Sequence, residues 1–364
     1  MSKAISDWLD AKTISEQEFF LKQKDHPDLY DKANELYLKS QTDTSSKKFP
    51  QPVEQLSPKG LALMSYLYAE KDKNESQPLI ASSIEDFIHL IKLIDKSPAG
   101  TSLVIIFQPT DSRAKDTEGD YKYGSYIAEF PTAHKTVFKV ERRDSDILLL
   151  NMDGTNKELY GSVGQIVAKS ALKPHSKESI PKERKVTELI YAYQKNPKVP
   201  NPKDGEEIAL TRQIDEYQCG VFAHKDARQL TRDEAIMTNA FSPESAVKFR
   251  NKTIPDLHHY DLPPEYFKGT QSSVYTDYAD KLHGEKVVSR GGKTLKQVHE
   301  KHGPGGYVQH FAQKYHDQVT NFLDKNKEHP DVVREAVEKY DAGKMTLERL
   351  AKIYAPKQRR HKFR

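Results

Sequence analysis

Residues 134–153, HKTVFKVERRDSDILLLNMD, decide the fold of this 364-residue chain. Two apolar runs, at 134–140 and 146–152, are joined by the short connection ERRDS. That arrangement predicts an antiparallel hairpin of two strands. His134 opens the first strand and Asp153 follows the second, so we expect both side chains at the same end of the hairpin. A histidine and a carboxylate placed together can serve as a base and as the group that orients it.

The chain on either side of the hairpin alternates between strand-like and helix-like patterns. Upstream, TSLVIIF at 101–107 is a β-branched apolar run after Pro98 and Gly100, which predicts a buried strand. Downstream, IALTRQ at 208–213 is a candidate short strand. Helices are predicted at 1–40, 59–70, 84–95, 162–172, from Cys219 through CGVFAHKDARQL, and over 310–354 with breaks near Pro330 and Gly343. We therefore expect an α+β fold with a mixed sheet flanked by helices.

Shifts in composition divide the chain into three predicted regions. Residues 1–82 form a helical N-terminal region with a polar linker near 41–58. Residues 83–252 form the core that holds the sheet, and residues 253–364 form a helical region ending in the basic tail KQRRHKFR. The core contains two charged or proline-bearing segments that we predict to be insertions, near 110–131 and 173–207.

Bulk composition excludes several classes of function. Lys and Arg number 57 against 53 Asp and Glu, so the net charge of +4 is small and no nucleic-acid partner is predicted. No apolar run approaches the roughly 18 residues of a membrane span, and the N-terminus has no signal-peptide pattern. One cysteine permits neither an internal disulfide nor a multi-cysteine zinc site, and we assign no metal. Any anion site must be a local cluster.

The single cysteine, Cys219, is predicted to begin a helix. A helix N-terminus stabilises a thiolate and offers backbone N–H groups to a developing oxyanion. A lone cysteine is more often a small core residue than a nucleophile. The ordered set of His134, Asp153, Gln213 and then Cys219 followed by Gly220 favours catalysis. Asn151 remains an alternative to Asp153 as the orienting group, and Gln218 an alternative to Gln213 as an oxyanion donor.

These motifs resemble the YopJ family of bacterial effectors and, more loosely, the papain-like clan CE cysteine proteases that act on SUMO. In that family a strand opens with the catalytic His, the next strand ends in an acid, and Gln precedes a Cys-Gly-x-Phe sequence. The chain has His134, Asp153 and the run QIDEYQCGVF at 213–222 in that order. It departs from the family in using Asp153 in place of the commoner Glu, and in placing Gln213 six residues before Cys219.

Two further blocks resemble the YopJ family more specifically. LPPEYFKGTQS at 262–272 resembles the Leu-Pro…Phe-Tyr-Lys-His-Thr-Gln-Ser segment, with Gly269 in place of the His. VVSRGGKTL at 287–295 resembles the Val-Val-Asn-Lys-Lys segment that follows it. The resemblance spans about residues 85–300 and implies a clan CE type catalytic core with a helical regulatory portion.

The resemblance also implies an activity. Family members transfer an acetyl group from acetyl-CoA to Ser, Thr or Lys of host proteins such as signalling kinases or immune components, and inositol hexakisphosphate activates them. His134 would be the base, Asp153 its orienting acid, Cys219 the nucleophile and Gln213 an oxyanion donor. For the polyanion, Lys268, Arg290 and Lys293 are the cationic candidates; they lie in the two family-like blocks.

Two rival functions remain at this point. A peptidase that removes ubiquitin or SUMO would use the same triad, and an inactive binding protein would keep only the scaffold. For the effector, we expect secretion by a specialised bacterial system and action in the host cytoplasm, with a nuclear destination left open by the basic tail. The two blocks beyond Cys219 favour the acetyltransferase.

Overall fold

The computed structural model describes residues 58–108, 135–154, 158–172, 187–195, 197–200, 207–213, 218–250 and 252–355. The predictions made for 1–57, 110–131, His134 and the basic tail fall outside these residues. The strands are β1 Leu79–Ala81, β2 Ser102–Phe107, β3 Thr136–Arg142, β4 Asp146–Met152, β5 Glu188–Gln194, β6 Lys198–Pro200, β7 Glu207–Ala209, β8 Ala246–Phe249 and β9 Lys252–Tyr260. The helices are α1 Pro58–Asp72, α2 Ile84–Asp95, α3 Glu158–Leu172, α4 Cys219–Leu230, α5 Ala235–Ala240, α6 Ser273–His283, α7 Leu295–His302, α8 Gly306–Lys325, α9 Pro330–Glu338 and α10 Leu347–Tyr354.

A mixed seven-stranded sheet in the order β1-β2-β3-β4-β5-β9-β8 forms the centre of the fold. The pairs β1–β2, β4–β5 and β5–β9 are parallel, and the remaining pairs are antiparallel. Helices flank this sheet, so the predicted α+β class is confirmed. Among the helices that the structure describes, none combines the length and apolar character needed to span a bilayer.

The predicted hairpin is confirmed as β3 and β4. Its register pairs Val137 with Met152 at one end and Arg142 with Ile147 at the other. Thr136 Oγ1 donates to Met152 O at 3.2 Å, which closes the end where β4 runs into Asp153. The chain therefore enters β3 beside the point where it leaves β4.

Four strands of the seven-stranded sheet were not predicted, namely β1, β5, β8 and β9. ELIYAYQ, β5, lies within 173–207, which was predicted to be an insertion, yet β5 pairs with both β4 and β9 at the centre of the sheet. The charged and proline-rich sequence on both sides of β5 concealed its apolar run. The region 253–364 was predicted to be helical, but the strand β9 spans the boundary and completes the sheet. A small second sheet, β6 with β7, lies where only loop and one short strand were predicted.

The core beneath the hairpin is built on three phenylalanines. Phe138 of β3 packs against Phe87 of α2 and Phe107 of β2, with ring centroids 5.1 and 6.0 Å away, and all three side chains are fully buried. Gly164 of α3 lies directly over the Phe138 ring, since a Cβ at Gly164 would fall 2.1 Å from Phe138 Cζ. The glycine permits this close approach of helix and strand.

The last helices return to the first ones. Tyr340 O accepts from Ile80 N at 2.9 Å, so the chain after α9 lies along β1 at the sheet edge. Tyr354 Oη at the end of α10 donates to Gln77 O at 2.6 Å, and α1 packs against α8 and α9. The N-terminal and C-terminal helices therefore form one helical layer.

Candidate active site

Asp153 lies immediately after β4 and is 3% exposed. Gln194, at the end of the adjacent strand β5, uses its side-chain amide to hydrogen-bond both the backbone N–H and the backbone C=O of Asp153. Gln194 Nε2 donates to Asp153 O at 3.0 Å, and Asp153 N donates to Gln194 Oε1 at 3.4 Å. The missed strand β5 thus fixes the position of the predicted acid.

His134 lies outside the described residues, two positions before the start of β3. The register of the hairpin brings the start of β3 to the end of β4, beside Asp153. The proximity of His134 to Asp153 stays a prediction.

Cys219 is the first residue of α4 and is 2% exposed. The predicted start of this helix is confirmed. Gln218 occupies the N-cap position without capping the helix through its side chain. The first backbone N–H groups of α4 therefore lie around Cys219, where the helix dipole favours negative charge on the sulfur or on a bound oxyanion.

In sequence, Gln213 lies between Asp153 and Cys219. Its backbone N donates to Gly154 O at 2.8 Å, and its side chain is 3% exposed. A Cβ on Gly154 would lie 3.1 Å from Gln213 Oε1 and 3.3 Å from the ring of Phe222, one turn into α4. The end of β4, the Gln213 segment and the first turn of α4 therefore meet at Gly154.

Both alternative residues have other contacts. Asn151 Nδ2 donates to Thr136 Oγ1 at 2.9 Å within the hairpin. Gln218 Oε1 accepts from Gln271 Nε2 at 3.1 Å. Asp153 and Gln213 stay the predicted acid and the predicted oxyanion donor, with Asn151 and Gln218 as the alternatives.

A buried lysine connects the hairpin to α4. Lys139 of β3 donates from Nζ to Leu230 O at 2.8 Å and to Asp233 O at 2.6 Å, at the C-terminal end of α4. Burial lowers the pKa of its amine, although nearby acids act in the opposite direction. The strand that follows His134 thereby anchors the far end of the helix that begins at Cys219.

Lys225 lies on α4, six residues after Cys219. Its Nζ donates to Tyr307 Oη at 3.1 Å and lies 3.3 Å from the centroid of the Phe311 ring. The pKa of the Lys225 amine is lowered well below its usual value, first by burial and then by three neighbouring cations, Lys268, Arg228 and Lys314. An anion that binds beside such a lysine favours its charged form and raises its pKa.

These charges belong to a larger group. The pKa of Arg232 is lowered by burial and then by Arg228 and Arg290, and the pKa of Lys268 is lowered by burial with Arg232 acting in the same direction. Lys268 Nζ also donates to Val288 O at 2.8 Å, which joins the two family-like blocks. We call this group the cation cluster: Lys225, Arg228, Arg232, Lys268, Arg290 and Lys314.

One carboxylate contacts the cation cluster from α1. Asp72 Oδ2 lies 2.7 Å from Nη2 of both Arg228 and Arg232. Burial raises the pKa of the Asp72 carboxyl, but the two arginines outweigh it and the pKa is lowered overall. A carboxylate oxygen of the protein itself therefore lies between these two arginines.

Sequence reasoning found only part of this cluster. Of the three candidates, Lys268 and Arg290 lie in it. Lys293 is exposed, and its contacts in the described chain are backbone hydrogen bonds with Val288 and Ser289. The missed members were Lys225, Arg228, Arg232 and Lys314. The spacing of Lys225 and Arg228 on α4, with Arg232 just beyond its end, was the available signal, and such spacing usually marks a solvated surface.

The structure thus has a mixed sheet with an acid after one of its strands, and a helix that begins at the single cysteine packs on that sheet. No family model matches the chain, and no curated protein matches it by sequence. Solved structures resemble it in fold.

One similar structure is an AvrA deletion variant with IP6 and CoA, at 13% identity and a TM-score of 0.45, covering 82% of this chain and 98% of that one. A second is HopZ1a in complex with IP6 and CoA, at 11% identity and a TM-score of 0.43, covering 71% of this chain and 84% of that one. AvrA and HopZ1a are YopJ-family effectors. A de-SUMOylating protease is also similar, at 9% identity and a TM-score of 0.31, covering 78% of this chain and 88% of that one. At these identities we infer function from the residues of the site.

Proposed function

We propose that the chain is an acetyl-CoA-dependent protein acetyltransferase that uses Cys219 as its nucleophile and is activated by inositol hexakisphosphate. The supporting observation is that one helix, α4, has Cys219 at its N-terminus and Lys225 and Arg228 of the cation cluster further along. A polyanion bound at the cluster acts on the same helix that holds the nucleophile. Peptide hydrolysis requires no such site.

The first chemical step forms an acetyl-enzyme. His134 takes the proton of the Cys219 thiol, and Asp153 orients the imidazole. The sulfur then attacks the carbonyl carbon of the acetyl-CoA thioester, a new carbon–sulfur bond forms, and the bond to the CoA sulfur breaks. The Gln213 side chain and the Cys219 backbone N–H donate to the oxygen as it becomes negative. His134 returns its proton to the leaving CoA thiolate.

The second step transfers the acetyl group. His134 removes a proton from the hydroxyl or amine of the acceptor residue, which attacks the acetylated Cys219. The sulfur leaves as a thiolate and the acceptor carries the acetyl group. A peptidase would use water in place of this acceptor, so the two functions share their residues and differ in the acyl donor and acceptor.

The cation cluster suits the polyanion. Inositol hexakisphosphate supplies many phosphate oxygens, which bind best to converging Lys and Arg side chains. Lys268, Arg290 and Lys225 come from three different segments, and a bound polyanion would hold these segments together on α4. We propose that this contact stabilises the active arrangement.

We further propose that the protein is an effector that a specialised bacterial system delivers into a host cell. Its substrates would be host proteins, with Ser, Thr or Lys as acceptors. This context rests on the resemblance of residues 262–272 and 287–295 to YopJ-family motifs.

A labelling experiment tests the function. The protein is incubated with labelled acetyl-CoA, with and without inositol hexakisphosphate, and the Cys219 peptide is analysed by mass spectrometry. We expect a label on Cys219 that increases with the polyanion. Reaction of Cys219 with a ubiquitin or SUMO probe and not with acetyl-CoA would establish the peptidase, and reaction with neither would favour the binding protein.

Removing one charge from the cluster should weaken polyanion binding. We expect Arg290→Gln to raise the Kd for inositol hexakisphosphate about three- to tenfold, because an exposed charge near a polyanion is partly screened. Lys293→Gln is the matched control, since it removes the same charge three residues away. Isothermal titration calorimetry measures both, and equal losses in the two variants would remove Arg290 from the site.

Polyanion binding should depend on pH through Lys225. The pKa of Lys225 is lowered in the free protein by burial and by its cationic neighbours, and bound phosphates would raise it. Binding therefore takes up a proton, and affinity should fall as pH rises through the interval between those two pKa values. Calorimetry in two buffers of different ionisation enthalpy measures the proton uptake. The Lys225→Met variant should take up fewer protons on binding. Proton uptake equal to that of the parent would show that Lys225 is not the group that is protonated.

A further inference from the structure

Arg212, the residue before Gln213, has a side chain that is fully buried. Its two terminal nitrogens contact both carboxylate oxygens of Asp226, at 3.0 Å for Nη1–Oδ1 and 2.7 Å for Nη2–Oδ2. Asp226 is itself 5% exposed and lies seven residues after Cys219 on α4. The pair is therefore a bidentate ion pair, inside the protein, between the nucleophile helix and the segment that leads into Gln213.

The same guanidinium reaches two other segments. Arg212 Nη1 donates to Tyr266 O at 3.2 Å, in the 262–272 block, and Nη2 lies 3.5 Å from Asp153 O. The backbone of Arg212 extends the connection, since Arg212 O accepts from Gln271 N at 2.7 Å. The side chain of Gln271 in turn contacts Gln218, which directly precedes Cys219.

The buried Arg212–Asp226 pair thus connects the segments that carry Asp153, Gln213 and Cys219. The acid segment is reached through Asp153 O, the oxyanion donor follows Arg212 in sequence, and the nucleophile helix is reached through Asp226. A buried ion pair costs desolvation that a well-packed apolar pair of the same size avoids. Fold stability alone is therefore a weak reason for the pair, whereas fixed geometry between segments is what a bidentate guanidinium supplies.

We propose that Arg212, clamped by Asp226, is a positioning residue that fixes Gln213 and the end of β4 relative to the Cys219 thiolate. The inference builds on the proposed function, in which these groups act together. Arg212 acts through the residues it holds and does not contact the reacting atoms.

The test replaces both charges together. Arg212→Met combined with Asp226→Leu replaces the ion pair with two apolar side chains and leaves no unpaired charge, so we expect the double variant to keep a cooperative melting transition. Arg212→Lys is a second variant that keeps the charge but loses the bidentate fork. Glu75→Gln is the control, because it breaks the partly exposed Lys339–Glu75 pair, whose N–O distance is 2.8 Å, outside the site.

The main readout is alkylation of Cys219 by iodoacetamide across pH. Cys219 is the only cysteine of the chain, so the signal reports one thiol. In the double variant we expect alkylation at neutral pH to slow about tenfold or more and its pH midpoint to rise by about one unit. Arg212→Lys should fall between the parent and the double variant, and Glu75→Gln should match the parent. Acetyl-enzyme formation should lose kcat with less than about a threefold change in KM for acetyl-CoA.

A folded double variant with the parental alkylation rate and midpoint would overturn the proposal and leave the pair a structural role only. If the double variant does not fold, Arg212→Lys decides in the same way. Because alkylation needs no acetyl-CoA, it tests the positioning role separately from the proposed acetyltransferase function. A shifted midpoint in a protein that never becomes acetylated supports the positioning role while rejecting the acetyltransferase.

Discussion

Cys219→Ala is expected to eliminate both the acetyl-enzyme and transfer of acetyl groups to protein, with a rate loss of roughly 10⁴-fold or more. The chain has no second cysteine, so no other thiol can replace the nucleophile. The helix should persist, because alanine is an excellent helix former and the side chain lost is small. We expect a stability loss of about 1 kcal/mol or less. Acetylation of the acceptor protein and of the residue-219 peptide, measured by mass spectrometry, checks the result.

The matched control for this variant is Gly291→Ala, at a glycine whose Cβ position has no atom within 4 Å. That protein should be acetylated on Cys219 like the parent. Transfer that persists in Cys219→Ala would remove the covalent mechanism altogether, because no acyl intermediate could then form on sulfur.

Gly164→Ala is expected to destabilise the protein strongly. The added Cβ would lie 2.1 Å from Phe138 Cζ, and the Phe138 ring is enclosed by the rings of Phe87 and Phe107. Overpacking of this kind costs about 3 kcal/mol, and the helical preference of alanine over glycine returns roughly 1 kcal/mol. The free energy of unfolding should therefore fall by about 2 kcal/mol, which is measured as a lower midpoint of urea unfolding.

Gly291→Ala again serves as the control, since it is the same substitution in open space. It should leave the urea midpoint within about 0.5 kcal/mol of the parent. If Gly164→Ala is as stable as that control, α3 does not approach β3 as closely as described, and the packing of the hairpin needs revision.

Local patterns predicted the fold where contacts are local. The β3–β4 hairpin has two apolar runs and a short connection, so its pairing could be inferred directly. The pairings of β5 and β9 join residues far apart in sequence, and no local pattern encodes them. β5 was concealed by charged flanks, and β9 has no alternating burial pattern, since its residues before His258 are exposed or half-buried.

The site shows the same division. Asp153, Gln213 and Cys219 could be predicted as site residues because their order and spacing form a motif, and the structure brings their segments together around Gly154. The roles of Lys225 and Arg212 depend on tertiary packing. Lys225 is buried by Tyr307 and Phe311 of α8, more than eighty residues later, and Arg212 finds Asp226 only when α4 folds over it.

Gly269 marks the place where the chain departs from the family-like motif, which has His. A Cβ there would lie 2.9 Å from Val308 Cγ2 and 3.3 Å from the Phe222 ring, so Val308 and Phe222 have filled the space of the missing side chain. A histidine introduced at position 269 alone would therefore clash with Val308 and Phe222, and smaller residues at one or both of these positions would relieve the clash. The effects of substitutions at the three positions should therefore be non-additive.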